Sequence, residues 1–120
     1  MRLTVDGQEV YVATGAEPHR PGKPHITFIH GAGCDHTNWV LFARFFSRNG
    51  FNVLVPDLPG HGKSAGKPLT SVEQLALWVV RFLDAAHAES TLLVGHSLGS
   101  LIALEAAAQS PNRFTKIVLL

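Results

Sequence analysis

Gly95-His96-Ser97-Leu98-Gly99 sets a serine midway between two glycines, directly after the apolar run Leu92-Leu93-Val94 and ahead of an alanine-rich segment. The pattern predicts a strand, a sharp turn and a helix, with Ser97 at the apex as in a nucleophile elbow. A serine held at such a kink draws the flanking chain together until side chains at 95 and 99 would collide. Glycine at both positions is therefore a steric need. The turn carries the Ser97 hydroxyl off the sheet to a helix N-terminus, where free N–H groups and the helix dipole favour developing negative charge. That is the chemistry of serine attack on a carbonyl, with the N–H of Leu98 as one donor to the oxyanion. A serine that merely caps the helix needs neither glycine.

Two further stretches stand at strand ends. His30-Gly31-Ala32-Gly33 follows an apolar strand, and Pro56-Asp57-Leu58-Pro59-Gly60-His61-Gly62-Lys63-Ser64 follows the next one. Together with the elbow they resemble the alpha/beta-hydrolase superfamily, specifically the N-terminal part of a serine hydrolase or esterase, over nearly all 120 residues. The resemblance implies an α/β fold, a three-layer sandwich with a mainly parallel sheet, truncated after about six strands, with residues 1–120 forming the N-terminal part of a single domain. It makes Ala32, at the family's His-Gly-x position, the second oxyanion donor. Gly31 and Gly33 are then expected to let that loop approach the substrate. Gly31, Gly33, Cys34 and His96 become candidate pocket lining, and Cys34 is not read as a nucleophile because no base is assigned to it.

In the family the triad runs serine, acid, histidine along the chain. After Ser97 there is no His and no Asp, and the sole acid, Glu105, falls inside a helix. His96 is a strand neighbour of Ser97 and should point to the opposite face. His30 and His61 are expected to shape their loops, and His19, His25, His36 and His87 to be surface or loop residues. Asp57 precedes the serine and reads as a loop-shaping carboxylate that accepts backbone N–H groups. The expectation is a fragment of a larger serine hydrolase, nearly inactive alone because it lacks triad acid and histidine and retains only what an oxyanion hole supplies. The complete enzyme is expected to open a carboxylic ester or related acyl compound through an acyl-enzyme, without a cofactor. The resemblance also admits carbon–carbon bond hydrolases, lactonases, perhydrolases and a non-catalytic ligand-binding member.

A rival pattern overlaps the second stretch. Gly31-Ala32-Gly33-Cys34-Asp35-His36 after a strand, with Asp57 ending the next, suggests a dinucleotide fingerprint. His36 stands where the third glycine is needed for close helix–strand packing, and the elbow would have no purpose.

These motifs need a scaffold to hold them. Hydrophobic residues are 46% and charged residues 16% of the chain, a globular composition with room for one domain. A net charge of +1 without a basic block implies neither nucleic acid nor an anionic membrane surface. No apolar run approaches the ~18 residues of a membrane span. No signal sequence opens the chain, and a lone cysteine suits a reducing compartment, so cytoplasm is the expected location. No His/Cys/Asp/Glu group shows metal-ligand spacing, so no metal is implied.

Residues 2–6 and 8–13 alternate around Asp6-Gly7 as an antiparallel hairpin, and Gly15 to Pro24 reads as a surface loop. His25–Ile29 and Asn52–Val55 have no polar face, as strands covered on both sides require. Asn38–Asn49 predicts an amphipathic helix with Trp39, Phe42, Phe45 and Phe46 inward and Gly50 closing it. Overlapping capping boxes, Thr70 with Glu73 and Ser71 with Gln74, start a helix running to about His87. Leu98 to Gln109 is apolar all round, as in a helix buried on more than one side. Lys116–Leu120 is a last strand whose exposed edge predicts self-association.

Overall fold

The hydrophobic periods convert directly into layers. The computed structural model describes all 120 residues and contains six strands and three α-helices: β1 (Arg2–Val5), β2 (Gln8–Ala13), β3 (His25–Ile29), α1 (Val40–Arg48), β4 (Asn52–Pro56), α2 (Val72–Ala85), β5 (Thr91–Gly95), α3 (Leu98–Gln109) and β6 (Phe114–Leu119). The strands form one sheet in the order β1-β2-β4-β3-β5-β6. β1, β2 and β4 pair antiparallel, whereas β4, β3, β5 and β6 run parallel.

Alternate residues of the central strands point to opposite faces. Ile29, Leu54 and Leu93 meet Val79, Phe82, Leu83, Ile102 and Ala106 of α2 and α3 in one core. Ile26, Phe28, Val53, Val55 and Val94 meet Trp39 and Ala43 beside α1 in the other. The result is the expected three-layer sandwich. Each fully buried Leu, Ile or Phe contributes about 1.5–3 kcal/mol of transfer free energy, so both faces of the sheet are anchored.

Local signals act as read, with adjustments. Ser71 is the N-cap of α2 and its hydroxyl accepts the N–H of Gln74. Thr70 bonds instead to the Gln74 side chain. The helix before β4 begins later than expected, because residues His36–Trp39 wind as a 3-10 turn whose cap is the Asp35 carboxylate. Its far end closes as a Schellman motif: Gly50 has φ +92, and the Phe51 N–H reaches the Phe46 carbonyl at 3.2 Å.

The inward face of α1 differs from the aromatic stripe expected. Ala43 and Ser47 are buried, while Phe42 and Phe45 are exposed. The small residues are needed there because the 14–17 segment lies on them: the Glu17 N–H bonds the Ser47 hydroxyl at 2.8 Å. A side chain at Gly15 would overlap Ser47 and come within 2.8 Å of the Ala43 carbonyl. The 15–24 loop is accordingly tied down, with Asn52 bonding both backbone groups of Arg20 and His19 reaching the Val53 carbonyl at 2.8 Å. On α3, Leu101 and Leu104 remain about half exposed, so this apolar helix is covered by the sheet and α2 but not on its outer side. β6 starts at Phe114, two residues ahead of the expected strand.

Candidate active site

The register of the parallel strands brings the two candidate loops together. Ile29 of β3 lies opposite Gly95 of β5, so the chain leaves both strands at the same carboxyl edge. The His96 N–H bonds the Ile29 carbonyl at 3.2 Å across that edge.

Ser97 occupies φ 58, ψ −121, a region that L-residues adopt only under constraint, and the flanking glycines show the constraint. A methyl at Gly95 would strike the Gly99 carbonyl oxygen and lie 2.7 Å from the Ser100 nitrogen. One at Gly99 would strike the Ile29 carbonyl oxygen and lie 3.1 Å from that of His30. Strand, turn and helix therefore pack backbone against backbone. Ser97 is exposed, and although it stands at the N-cap position of α3 its side chain makes no capping hydrogen bond. The Ser97 N–H bonds the Leu120 carbonyl at 3.2 Å, and the Ser100 hydroxyl bonds the same carbonyl at 3.0 Å, so the end of β6 braces the turn.

The second loop faces this hydroxyl. A Cβ built on Gly31 would sit 3.3 Å from the Ser97 Cβ and 3.7 Å from its Oγ, which makes residue 31 its immediate neighbour. Gly31 to Cys34 form a β-turn closed by the Cys34 N–H on the Gly31 carbonyl at 3.2 Å. Gly33 takes φ +71, the conformation such a turn needs at its third position. Nothing lies within 4 Å of a Cβ there, so backbone conformation, not crowding, calls for this glycine. Ala32 is exposed, Cys34 is half-buried and His96 is exposed, its ring edge-on to Trp39 at 6.4 Å. Leu98, as first residue of α3, has an N–H outside the intrahelical ladder.

His30 and Asp57 hold these loops from beneath. His30 is fully buried; its Nε2 accepts the Leu58 N–H at 3.0 Å and its Nδ1 lies 2.7 Å from the Gly31 carbonyl. Burial, chiefly, pulls its pKa below the ordinary histidine value; the Gly31 carbonyl opposes this, His61 adds to it, and Asp57 and Asp35 oppose it. Asp57, also fully buried, accepts the backbone N–H groups of His36 (2.7 Å) and Lys63 (2.8 Å), the loop-shaping role read for it.

His36, expected to be a surface or loop residue, lies in the turn between β3 and α1 but with its side chain directed inward. Its side chain is only 12% exposed, its Nδ1 donates to Asp57 at 2.9 Å, and its ring packs 4.7 Å from Tyr11. Chain separation hides this pairing, which exists only because β3 and β4 are adjacent. Folding also gathers Asp35, His36 and Asp57, with one ligand atom of each within 4.8 Å of the others, a cluster that sequence spacing does not reveal. Both Asp57 oxygens already accept N–H donors from His36 and Lys63, whereas the Asp35 carboxylate is taken up by Thr37 and makes no hydrogen bond to the other two. The Asp35 carboxylate capping this turn also puts negative charge where the pyrophosphate of a dinucleotide would have to bind.

A cleft of about 720 Å³ is lined by Leu83, Asp84, His87, Glu89 and Arg113 at the opposite, amino edge of the parallel strands. It includes neither Ser97 nor any residue of 30–36.

Residues 24–120 match the alpha/beta hydrolase fold family. The chain belongs to that family. This hydrolase-fold chain is similar to the dihydrolipoyllysine-residue acetyltransferase component of an acetoin cleaving system from Cupriavidus necator, 37% identical over 82% of the chain and 26% of the relative. Among solved structures it superposes on a bacterial membrane phospholipase A with a TM-score of 0.90 at 30% identity, over 99% of the chain and 38% of that protein. It also superposes on the enol-lactonase of Burkholderia xenovorans with a TM-score of 0.87 at 26% identity, over 98% of the chain and 45% of that protein. The chain thus spans less than half the length of these relatives. Members of the family are generally hydrolases acting on small molecules, and no helix here is long and apolar enough to cross a membrane.

Proposed function

We propose that residues 1–120 are the N-terminal part of a single catalytic domain, and that the complete enzyme is a serine hydrolase of carboxylic esters or related acyl compounds. The observation that carries this reading is the strained, exposed Ser97 with its hydroxyl beside Gly31 at the carboxyl edge of the sheet. In the proposed reaction Ser97 Oγ attacks the carbonyl carbon and the N–H groups of Leu98 and Ala32 receive the oxyanion. The alcohol or other leaving group departs with a proton, and water then releases the acid from the acyl-enzyme. A lactone, as a cyclic ester, opens by the same attack.

None of the seven histidines is hydrogen-bonded to Ser97 Oγ. The base and its acid are accordingly assigned to residues after Leu120 in the complete enzyme, consistent with the family's chain order. A cytoplasmic setting, resting on the lone Cys34, is part of the proposal. The test is a fluorophosphonate probe applied to the full-length protein. Labelling at Ser97 that disappears in Ser97→Ala supports the enzyme; a folded protein that resists the probe is instead a ligand-binding member.

A further inference from the structure

We propose that His30 is a positioning residue that aims the Ala32 N–H at the reacting carbonyl oxygen by gripping the opposite end of the same peptide unit. This rests on the oxyanion reading of Ala32 given above. The Leu58 N–H can only donate, so His30 Nε2, 3.0 Å away, must be the acceptor. The ring proton is then on Nδ1, which donates to the Gly31 carbonyl at 2.7 Å. That carbonyl also accepts the Cys34 N–H at 3.2 Å, so it is held from two sides. The Gly31 carbonyl and the Ala32 N–H belong to one planar unit, trans as every peptide bond in the chain is. In a trans unit the two point in opposite directions.

Fixing the carbonyl therefore fixes the amide, and the Ala32 N–H, engaged with no acceptor in the chain, faces away from the His30 side. The grip is rigid at both ends: His30 is fully buried, and Leu58 belongs to the loop that Asp57 ties to His36 and Lys63. Charged and titratable groups around the ring are His61, whose ring is 5.3 Å away, with Asp57 and Asp35.

The test compares His30→Leu and His30→Asn in the full-length enzyme. Both remove the ring and its bond to Leu58, but only Asn keeps a short N–H donor near the Nδ1 position. Losing one aligned oxyanion donor costs ~10²–10³ in kcat, so Leu should fall by about 10²-fold with KM within about twofold of wild type, and Asn should recover most of that loss. Equal kcat in folded Leu and Asn variants overturns the proposal. Should His30→Leu fail to fold, ¹⁵N NMR of the wild-type ring near neutral pH decides. A proton on Nδ1 with a bare Nε2 supports the proposal, and the reverse tautomer overturns it. Failure of the hydrolase reading itself looks different: the wild type would resist the fluorophosphonate probe and show no turnover to compare.

Discussion

Gly95→Ala should be among the most damaging single-methyl additions in the chain. The new Cβ would overlap the Gly99 carbonyl oxygen and stand 2.7 Å from the Ser100 nitrogen, and both are backbone atoms of the first turn of α3. No side-chain rotation can make room. Relief requires α3 to slide away from β5, but Gly99 presses α3 against the Ile29 and His30 carbonyls on the other side. Overpacking costs roughly 1–3 kcal/mol, and an immovable neighbour puts this site at the upper end. Replacing glycine returns about 0.4–1 kcal/mol by restricting the unfolded chain, so the net loss is ~2 kcal/mol. With a urea dependence of about 1–3 kcal/mol per molar, the unfolding midpoint should drop by ~1 M. Trp39 and Trp78, both buried, report the transition by fluorescence. Gly31→Ala is the comparison, since its new methyl meets the Ser97 Cβ at 3.3 Å and otherwise makes only ordinary contacts, with the His96 carbonyl at 3.5 Å and the Ser97 Oγ at 3.7 Å. It should lose less than about 1 kcal/mol while slowing reaction at Ser97. A Gly95→Ala midpoint equal to wild type would refute the close packing of the elbow.

Ser97→Gly should abolish probe labelling yet raise stability. Relieving a strained positive-φ residue returns about 1–2 kcal/mol against ~0.5–1 for the entropy of glycine, and an unchanged or lower melting temperature would contradict the strain at φ 58. His30 has its pKa lowered chiefly by burial, and His25 by burial and then by His19. Both bind a proton less readily folded than unfolded, so their contribution is complete above the ordinary histidine value of about 6.5 and is lost as pH falls beneath it. Urea midpoints should decline between pH 7.5 and 5.5, and a flat profile would refute this. β6 pairs on one side only, with Val118 and Leu119 exposed, so Val118→Lys should reduce self-association of the 120-residue chain in sedimentation. An identical distribution of species in the variant would count against the edge as the contact.

What the sequence determined by itself is local. Hydrophobic period placed the strands and helices, Ser71 and Gly50 marked helix ends, and the spacing of Gly95, Ser97 and Gly99 announced a kink, because each of these signals acts over a few neighbouring residues. Aromatic periodicity misled on α1: Phe42 and Phe45 have the right spacing, but which face turns inward was decided by the loop seated on Ala43 and Ser47. Only tertiary structure decided the long-range pairings. His36 meets Asp57, and His30 meets Leu58, because β3 and β4 lie side by side with their exits at one edge. Gly31 meets Ser97 because β5 flanks β3 on its other side. Strand order is a property of how whole faces are buried, and no short window of residues contains it.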